Sequence, residues 1–193
     1  MSDRAPAARI ATLRSRIGFS PESVSSEYER GLRPSAVSVL LYPLENELHI
    51  LLTKRSTHVA HHKGQIAFPG GSWEAADPSL RDTALRETEE ELGIPRTTIH
   101  LFGELPGTTT PTGFHITPYV GYLEGSLTYR LNPSEIEAVI SVPLSTFHSQ
   151  AATARPLLTA LSGTSTPCYL YHGNLIWGAT GRIIRQLLAV FEV

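Results

Sequence analysis

Residues 68–94 read FPGGSWEAADPSLRDTALRETEEELGI, and the rest of the chain is organised around this stretch. It opens on a Pro-Gly-Gly turn, whose glycines reach backbone angles that side chains resist and let main chain approach a ligand closely. A helix follows. Asp77 with Pro78 at the first helical position is one way to start it, Ser79 with Asp82 is another, and Gly93 followed by Pro95 ends it. On that helix Glu87, Glu90 and Glu91 stand at i, i+3 and i+4 and share one face, while Leu85, Thr88 and Leu92 point to a side that can be buried.

Three neighbouring carboxylates repel one another, by a few tenths of a kcal/mol per exposed pair and more in a cleft. A divalent cation removes that cost, and an all-oxygen donor set favours Mg²⁺ or Mn²⁺ over Zn²⁺. Arg86 stands beside the face and can pair with a carboxylate or position it; Glu89 falls outside the arc. The competing reading is a solvated acidic helix end. Acids near a helix C-terminus oppose the macrodipole, however, so a purely structural helix gains nothing from them. Together with the glycine turn and Arg86, this points to a metal site.

The segment from Gly71 to Ile94 resembles the box of the Nudix hydrolases. Arg86, Glu87, Glu90, Glu91, Gly93 and Ile94 fall on its second half; in the first half Asp77 stands near the usual glutamate position, with eight residues between it and Arg86, and Thr88 replaces an aliphatic residue. An aspartate there with a TALRE run, residues 83–87, is similar to the coenzyme A diphosphatase branch. Upstream, LLTKRSTHVAHHKGQIAFPGG at residues 51–71 resembles that branch's second signature at Leu51, Leu52, Thr53, Arg55, Ser56, Gly64, Phe68, Pro69, Gly70 and Gly71. IWGATGR at residues 176–182 is a third similarity.

The resemblance implies an α/β sandwich of Nudix type with a mixed sheet, formed by residues 36–193 behind an N-terminal helical arm, residues 1–35. It implies an enzyme in which Glu87, Glu90, Glu91 and the Gly71 carbonyl hold Mg²⁺ or Mn²⁺, with Arg86 beside them. Glu135 follows Asn-Pro where the branch carries an acid, and is a candidate ligand or base against a solvated role; Glu137 is the weaker candidate. The implied substrate is coenzyme A or a derivative, split at its diphosphate, with contacts from Lys54, Arg55, Ser56, His61, His62, Lys63, Gly70 and Gly71. Two alternatives stay open: a Nudix diphosphatase for ADP-ribose, dinucleotides or nucleoside triphosphates, and a non-catalytic nucleotide sensor, which would be expected to have lost one of the carboxylates.

The wider composition sets bounds. A chain of 193 residues suits one domain with a real core. A formal net charge of -2 offers no polybasic footprint for nucleic acid or an anionic membrane. The single cysteine, Cys168, suits a reducing cytosol, and no apolar run approaches the ~20 residues of a membrane span, so a cytoplasmic monomer or homodimer is expected. The loop histidines 58, 61 and 62 invite a zinc reading, but a fourth ligand is missing; phosphate contact or plain exposure are the alternatives. Arg55, at a strand end with a guanidinium that binds two phosphate oxygens at once, is the better anion contact.

Strands are expected at 36–42 and 48–54 around a PLENE turn, at 102–105, and at 116–123 with Pro118 marking an edge or start. A mobile loop is expected at 108–113, then a turn, strand and short helix over 131–147. A strand at 168–171 and a closing helix at 177–190 complete the chain. Tyr169, Tyr171 and Trp177 are candidates for a nucleotide pocket wall, against the commoner fate of core aromatics.

Overall fold

The computed structural model describes residues 6–20, 31–57, 63–124, 127–150 and 166–192. Helix α1 (Pro6–Arg16) precedes strand β1 (Arg33–Leu44), which turns into β2 (Glu47–Arg55). The turn residues Glu45 and Asn46 both have positive φ, 51° and 65°, the type I′ geometry whose twist matches a two-residue hairpin. Short strands β3 (Ile66–Ala67) and β4 (Gly70–Ser72) lead to α2 (Leu80–Leu92). Then come β5 (Ile99–Glu104), β6 (Thr108–Thr109), β7 (Phe114–Leu123), β8 (Ile136–Pro143) and α3 (Leu144–Gln150). A small hairpin, β9 (Tyr169–Tyr171) and β10 (Asn174–Ile176), precedes the final helix α4 (Gly178–Glu192).

The main sheet is mixed, as expected. β1 runs parallel to β7 and antiparallel to both β2 and β4, while β2 also pairs β3 and β8. β1 is shared along one edge: Leu41 faces Ile50 of β2, and Ala36 faces Gly71 of β4. The glycine turn is thereby built into the sheet on which α2 lies.

Side chains of β1 alternate between two cores. Val39 and Leu41 join Leu13 of α1 and Leu187 of α4 on one face. Leu40 and Tyr42 join Leu92 and Ile94 on the other, beside a cluster of Ala36, Leu80, Ala84 and Tyr119. Each such aliphatic side chain contributes about 1.5–3 kcal/mol on burial. Small residues let α2 lie close to the sheet: Ser38 donates to the Ala84 carbonyl at 3.0 Å, and Thr88 donates to Ser38 at 2.8 Å. Thr88 can thus replace an aliphatic residue because its hydroxyl is satisfied.

Several expectations are corrected. The helix begins at Leu80, so Asp77 and Pro78 do not start it. Ser79 is the cap, accepting from the Asp82 N–H at 3.2 Å while donating to the Asp82 carboxylate at 2.6 Å. Gly93 closes it in the left-handed conformation and donates to the Glu89 carbonyl at 2.8 Å. β1 starts at Arg33, ahead of the expected residue 36. Pro118 marks neither an edge nor a start: it lies inside β7, opposite Val37 of β1. Its carbonyl accepts from the Leu105 N–H where β5 has ended and β6 has not begun, so its nitrogen faces that gap and costs no ladder bond. Part of the expected 108–113 loop is strand β6. α1 packs on the domain itself, burying Ile10 and Leu13, with Arg16 donating to the Val190 carbonyl at 2.6 Å. No helix among the described residues is long and apolar enough to cross a membrane.

Candidate active site

The C-terminal half of α2, the β4 turn and the end of β2 meet at one end of the sheet. Arg86 is the hub. Its Nε donates to Asp77 Oδ1 at 2.9 Å and its Nη2 to Asp77 Oδ2 at 3.0 Å, a two-point clasp. Nη2 also donates to the Ser72 carbonyl at 3.1 Å, and Nη1 donates to Glu87 and to Glu90, each at 3.0 Å. Asp77 is fixed in turn by the Thr83 hydroxyl at 2.9 Å and the Glu74 N–H at 3.1 Å. Arg86 holds the Asp77 carboxyl below the usual carboxylate range, and Asp77 pushes the guanidinium further up.

The three glutamates on one helix face are graded by depth. Glu90 is 53% exposed, Glu87 is half-buried, and Glu91 is 2% exposed. Glu91 accepts from the Gly70 N–H at 3.2 Å and faces Arg55 at 3.6 Å. Burial pushes its carboxyl up to about 8; Arg55 and the Gly70 bond pull it down, and the charges of Glu87 and Glu135 push it further up. Burial also raises Glu87, against the pull of Arg86, with Glu90 and Glu135 adding to the rise.

The glycines explain themselves here. Gly70 has φ 149°, and a Cβ on it would overlap the Ala36 carbonyl. A Cβ on Gly71 would overlap the Glu87 carboxylate, so only glycine lets backbone and carboxylate lie together at this point.

Arg55 belongs to the site through Glu91, and its backbone is fixed by Gln65 and Gly64 at 3.0 and 3.1 Å. Lys54 pairs with Glu137 at 2.6 Å, both side chains partly exposed; such a pair is worth about 0–1 kcal/mol. Ser56 is buried and donates its N–H to the Glu135 carbonyl at 2.7 Å. Lys63 is exposed, while residues 58, 61 and 62, the candidate zinc or phosphate histidines, lie outside the described residues. Tyr169 is core, edge-on to Phe147 at 5.0 Å; Trp177 is 41% exposed beside the small hairpin.

Two features escaped the sequence reading. Asp77 is the partner of Arg86 rather than a cap, for which the signal was an acid nine residues before an arginine whose helix face it must reach. Asn132 contacts Glu135, for which the signal was the Asn-x-Ser-Glu turn.

The NUDIX domain model matches residues 32–161. The chain belongs to the Nudix family. Its Nudix relatives include the uncharacterized Nudix hydrolase NudL of Yersinia enterocolitica, 38% identical over 142 residues, covering 72% of this chain and 71% of the relative. NudL of Yersinia pestis is also 38% identical over 142 residues, covering 72% and 70%. Among solved structures, an Ap4A hydrolase binary complex from C. elegans superposes with a TM-score of 0.56 at 13% identity, covering 82% of this chain and 98% of that one. A MutT/nudix family protein from Enterococcus faecalis gives 0.53 at 16%, covering 98% and 70%. At these identities the structures share the Nudix fold.

Nudix hydrolases generally use divalent metals such as Mg²⁺ or Mn²⁺. Among the described residues no three acidic or histidine side chains are spaced as a closed ligand set, because Arg86 draws Glu87 and Glu90 to itself and Glu91 turns to Gly70. The residues nonetheless fit a hard cation. One Arg86 nitrogen already sits between two carboxylates where positive charge is wanted, every candidate donor is oxygen, and the absence of a side chain at Gly71 lets main chain lie directly against the Glu87 carboxylate.

Proposed function

We propose that the protein hydrolyses the diphosphate bond of coenzyme A or its derivatives with Mg²⁺ or Mn²⁺, releasing 3',5'-ADP and (acyl-)4'-phosphopantetheine. The observation that carries this reading is Glu91. A carboxyl pushed to about 8 by burial, between a backbone N–H and an arginine, is costly to ionise until positive charge arrives beside it.

In this reading Glu87, Glu90, Glu91 and the Gly71 carbonyl would hold the metal, which when bound would offset charge on the phosphate oxygens and make water more acidic. The protein's own residues do the rest. Arg86, clasped by Asp77, keeps Glu87 and Glu90 extended along one helix face and yields them to a stronger cation. Arg55 is aimed at the same point from β2 and binds phosphate oxygen, with Lys54, Ser56, Gly70 and the 61–63 loop beside it. Glu135 takes the proton from the attacking water, since a general base contributes about 10²–10⁴-fold and its charge already reaches Glu87 and Glu91.

The substrate assignment rests on the LLTKRS and FPGG elements of residues 51–71, which carry Arg55 and Gly70 to Glu91. A panel of coenzyme A, ADP-ribose and NADH with Mg²⁺ or Mn²⁺ tests it. Turnover should be fastest on coenzyme A; faster turnover of ADP-ribose would overturn the assignment.

A further inference from the structure

Residues 130–135 form a brace between the two parts of the site. The Arg130 and Asn132 N–H groups donate to the carbonyls of Leu92 and Glu91 at 2.7 and 2.9 Å, capping the last turn of α2. The Glu135 carbonyl accepts from Ser56, at the end of β2, at 2.7 Å. The backbone that carries Glu135 is thus tied at one end to the glutamate helix and at the other to the strand that carries Arg55.

The side chain of Asn132 is used on both sides. Its Oδ1 accepts from the Ser134 N–H at 3.2 Å and from the Ser134 hydroxyl at 2.6 Å. Only the oxygen of an amide can accept from a backbone N–H, so this turn sets which way the group points. The Nδ2 then faces the Glu135 carboxylate and donates to Oε1 at 3.0 Å. A turn alone needs the oxygen. The donor on the opposite edge does nothing for the turn and restrains a carboxylate that would otherwise be free to rotate about its own side-chain bonds.

We propose that Asn132 is a positioning residue: its amide, oriented by the Ser134 turn, holds the Glu135 carboxylate in place on the brace between α2 and the end of β2. The task given to Glu135 rests on the diphosphatase reading; the contact does not.

Asn132→Asp separates this role from a structural one, because aspartate closes the same turn yet aims an oxygen where Glu135 needs a donor. Kinetics on whichever diphosphate of the panel the wild-type protein turns over fastest, for Asn132→Asp, Asn132→Ala, Glu135→Gln and the Asn132→Ala/Glu135→Gln pair, give the test. Asn132→Asp should lower kcat about 100-fold with KM within about threefold. Its thermal midpoint should stay within about 3 °C of wild type. Asn132→Ala should cost nothing further once Glu135 is glutamine, since both act through one carboxylate. Wild-type kcat in Asn132→Asp, or losses that multiply in the pair, would overturn the role. The ¹⁵N signal of the Asn132 side-chain amide reads the contact without turnover: it should move in Glu135→Gln, and an unmoved signal overturns the inference. A wild-type protein inactive on every diphosphate would defeat the diphosphatase reading instead, leaving this signal to decide the contact.

Discussion

Glu91 shows how one buried carboxyl ties stability to function. Its proton is held more tightly in the folded protein than in the unfolded chain, because burial penalises the charged form more than Arg55 and Gly70 favour it. The stability this gives is fully present below the ordinary value of 4.5 and is lost as pH rises through about 8. Metal-free protein should therefore lose on the order of 2–4 kcal/mol across that window, read by urea unfolding in EDTA at stepped pH. Glu91→Gln cannot ionise and should flatten this profile. An unchanged slope in Glu91→Gln would show that the proton sits elsewhere. By the same logic Mg²⁺ added near neutral pH should release a proton.

At the scale of the element, α2 owes its place to residues outside it. Ser79 and Gly93 fix its ends, and Ala36 and Ser38 let it lie close on β1. The Asp77–Arg86 clasp anchors the face that carries Glu87 and Glu90. Removing Asp77 leaves the largely buried Arg86 Nε without its acceptor, so Asp77→Ala should cost about 1–3 kcal/mol in urea unfolding. It should also weaken Mn²⁺ binding, because Arg86 then has only the two glutamates to hold. Undiminished stability and Mn²⁺ affinity together would show that the clasp plays no part.

The face of α2 was legible beforehand because i, i+3 and i+4 spacing is local and survives any tertiary arrangement. Its start was left between two local caps, and what selects Ser79 is a distant demand: Asp77 is taken by Arg86. The interior place of Pro118 was illegible for the same reason, since it depends on β5 and β6 leaving a gap beside β7, which only strand pairing reveals.

Across the whole molecule, the N-terminal segment spans both layers. α1 fills the face shared with α4, while Phe19 beyond it stacks under the Arg81 guanidinium at 3.9 Å, on the first turn of α2. Gly18 and Ser20 bond Glu104 of β5 on the way. A protein lacking residues 1–20 would expose the ground covered by Ile10 and Leu13, at about 1.5–3 kcal/mol each. It should melt well below the full chain in a thermal scan; an equal melting point would make the segment dispensable to the fold.

The fold class could be expected from the sequence because the residues 71–94 box and the residues 51–71 element resemble one family, and the apolar runs around them read as strands. The arm's packing could not, since nothing local says which surface an amphipathic helix will cover. Asn132 was within reach of the sequence, because its contact with Glu135 spans only three residues of the Asn-Pro-Ser-Glu turn; what strand and helix pairing alone reveals is that this turn is tied to α2 and to the end of β2.

The central claim is that the carboxylates of α2 split a diphosphate. The most direct test is the rate of 3',5'-ADP release from coenzyme A, with saturating Mg²⁺ or Mn²⁺, by wild-type protein and Glu91→Gln side by side. The wild type should release it, and Glu91→Gln, which keeps shape and burial but cannot become an anion, should be slower by about 10²–10⁴-fold. Equal rates from the two proteins would contradict the account.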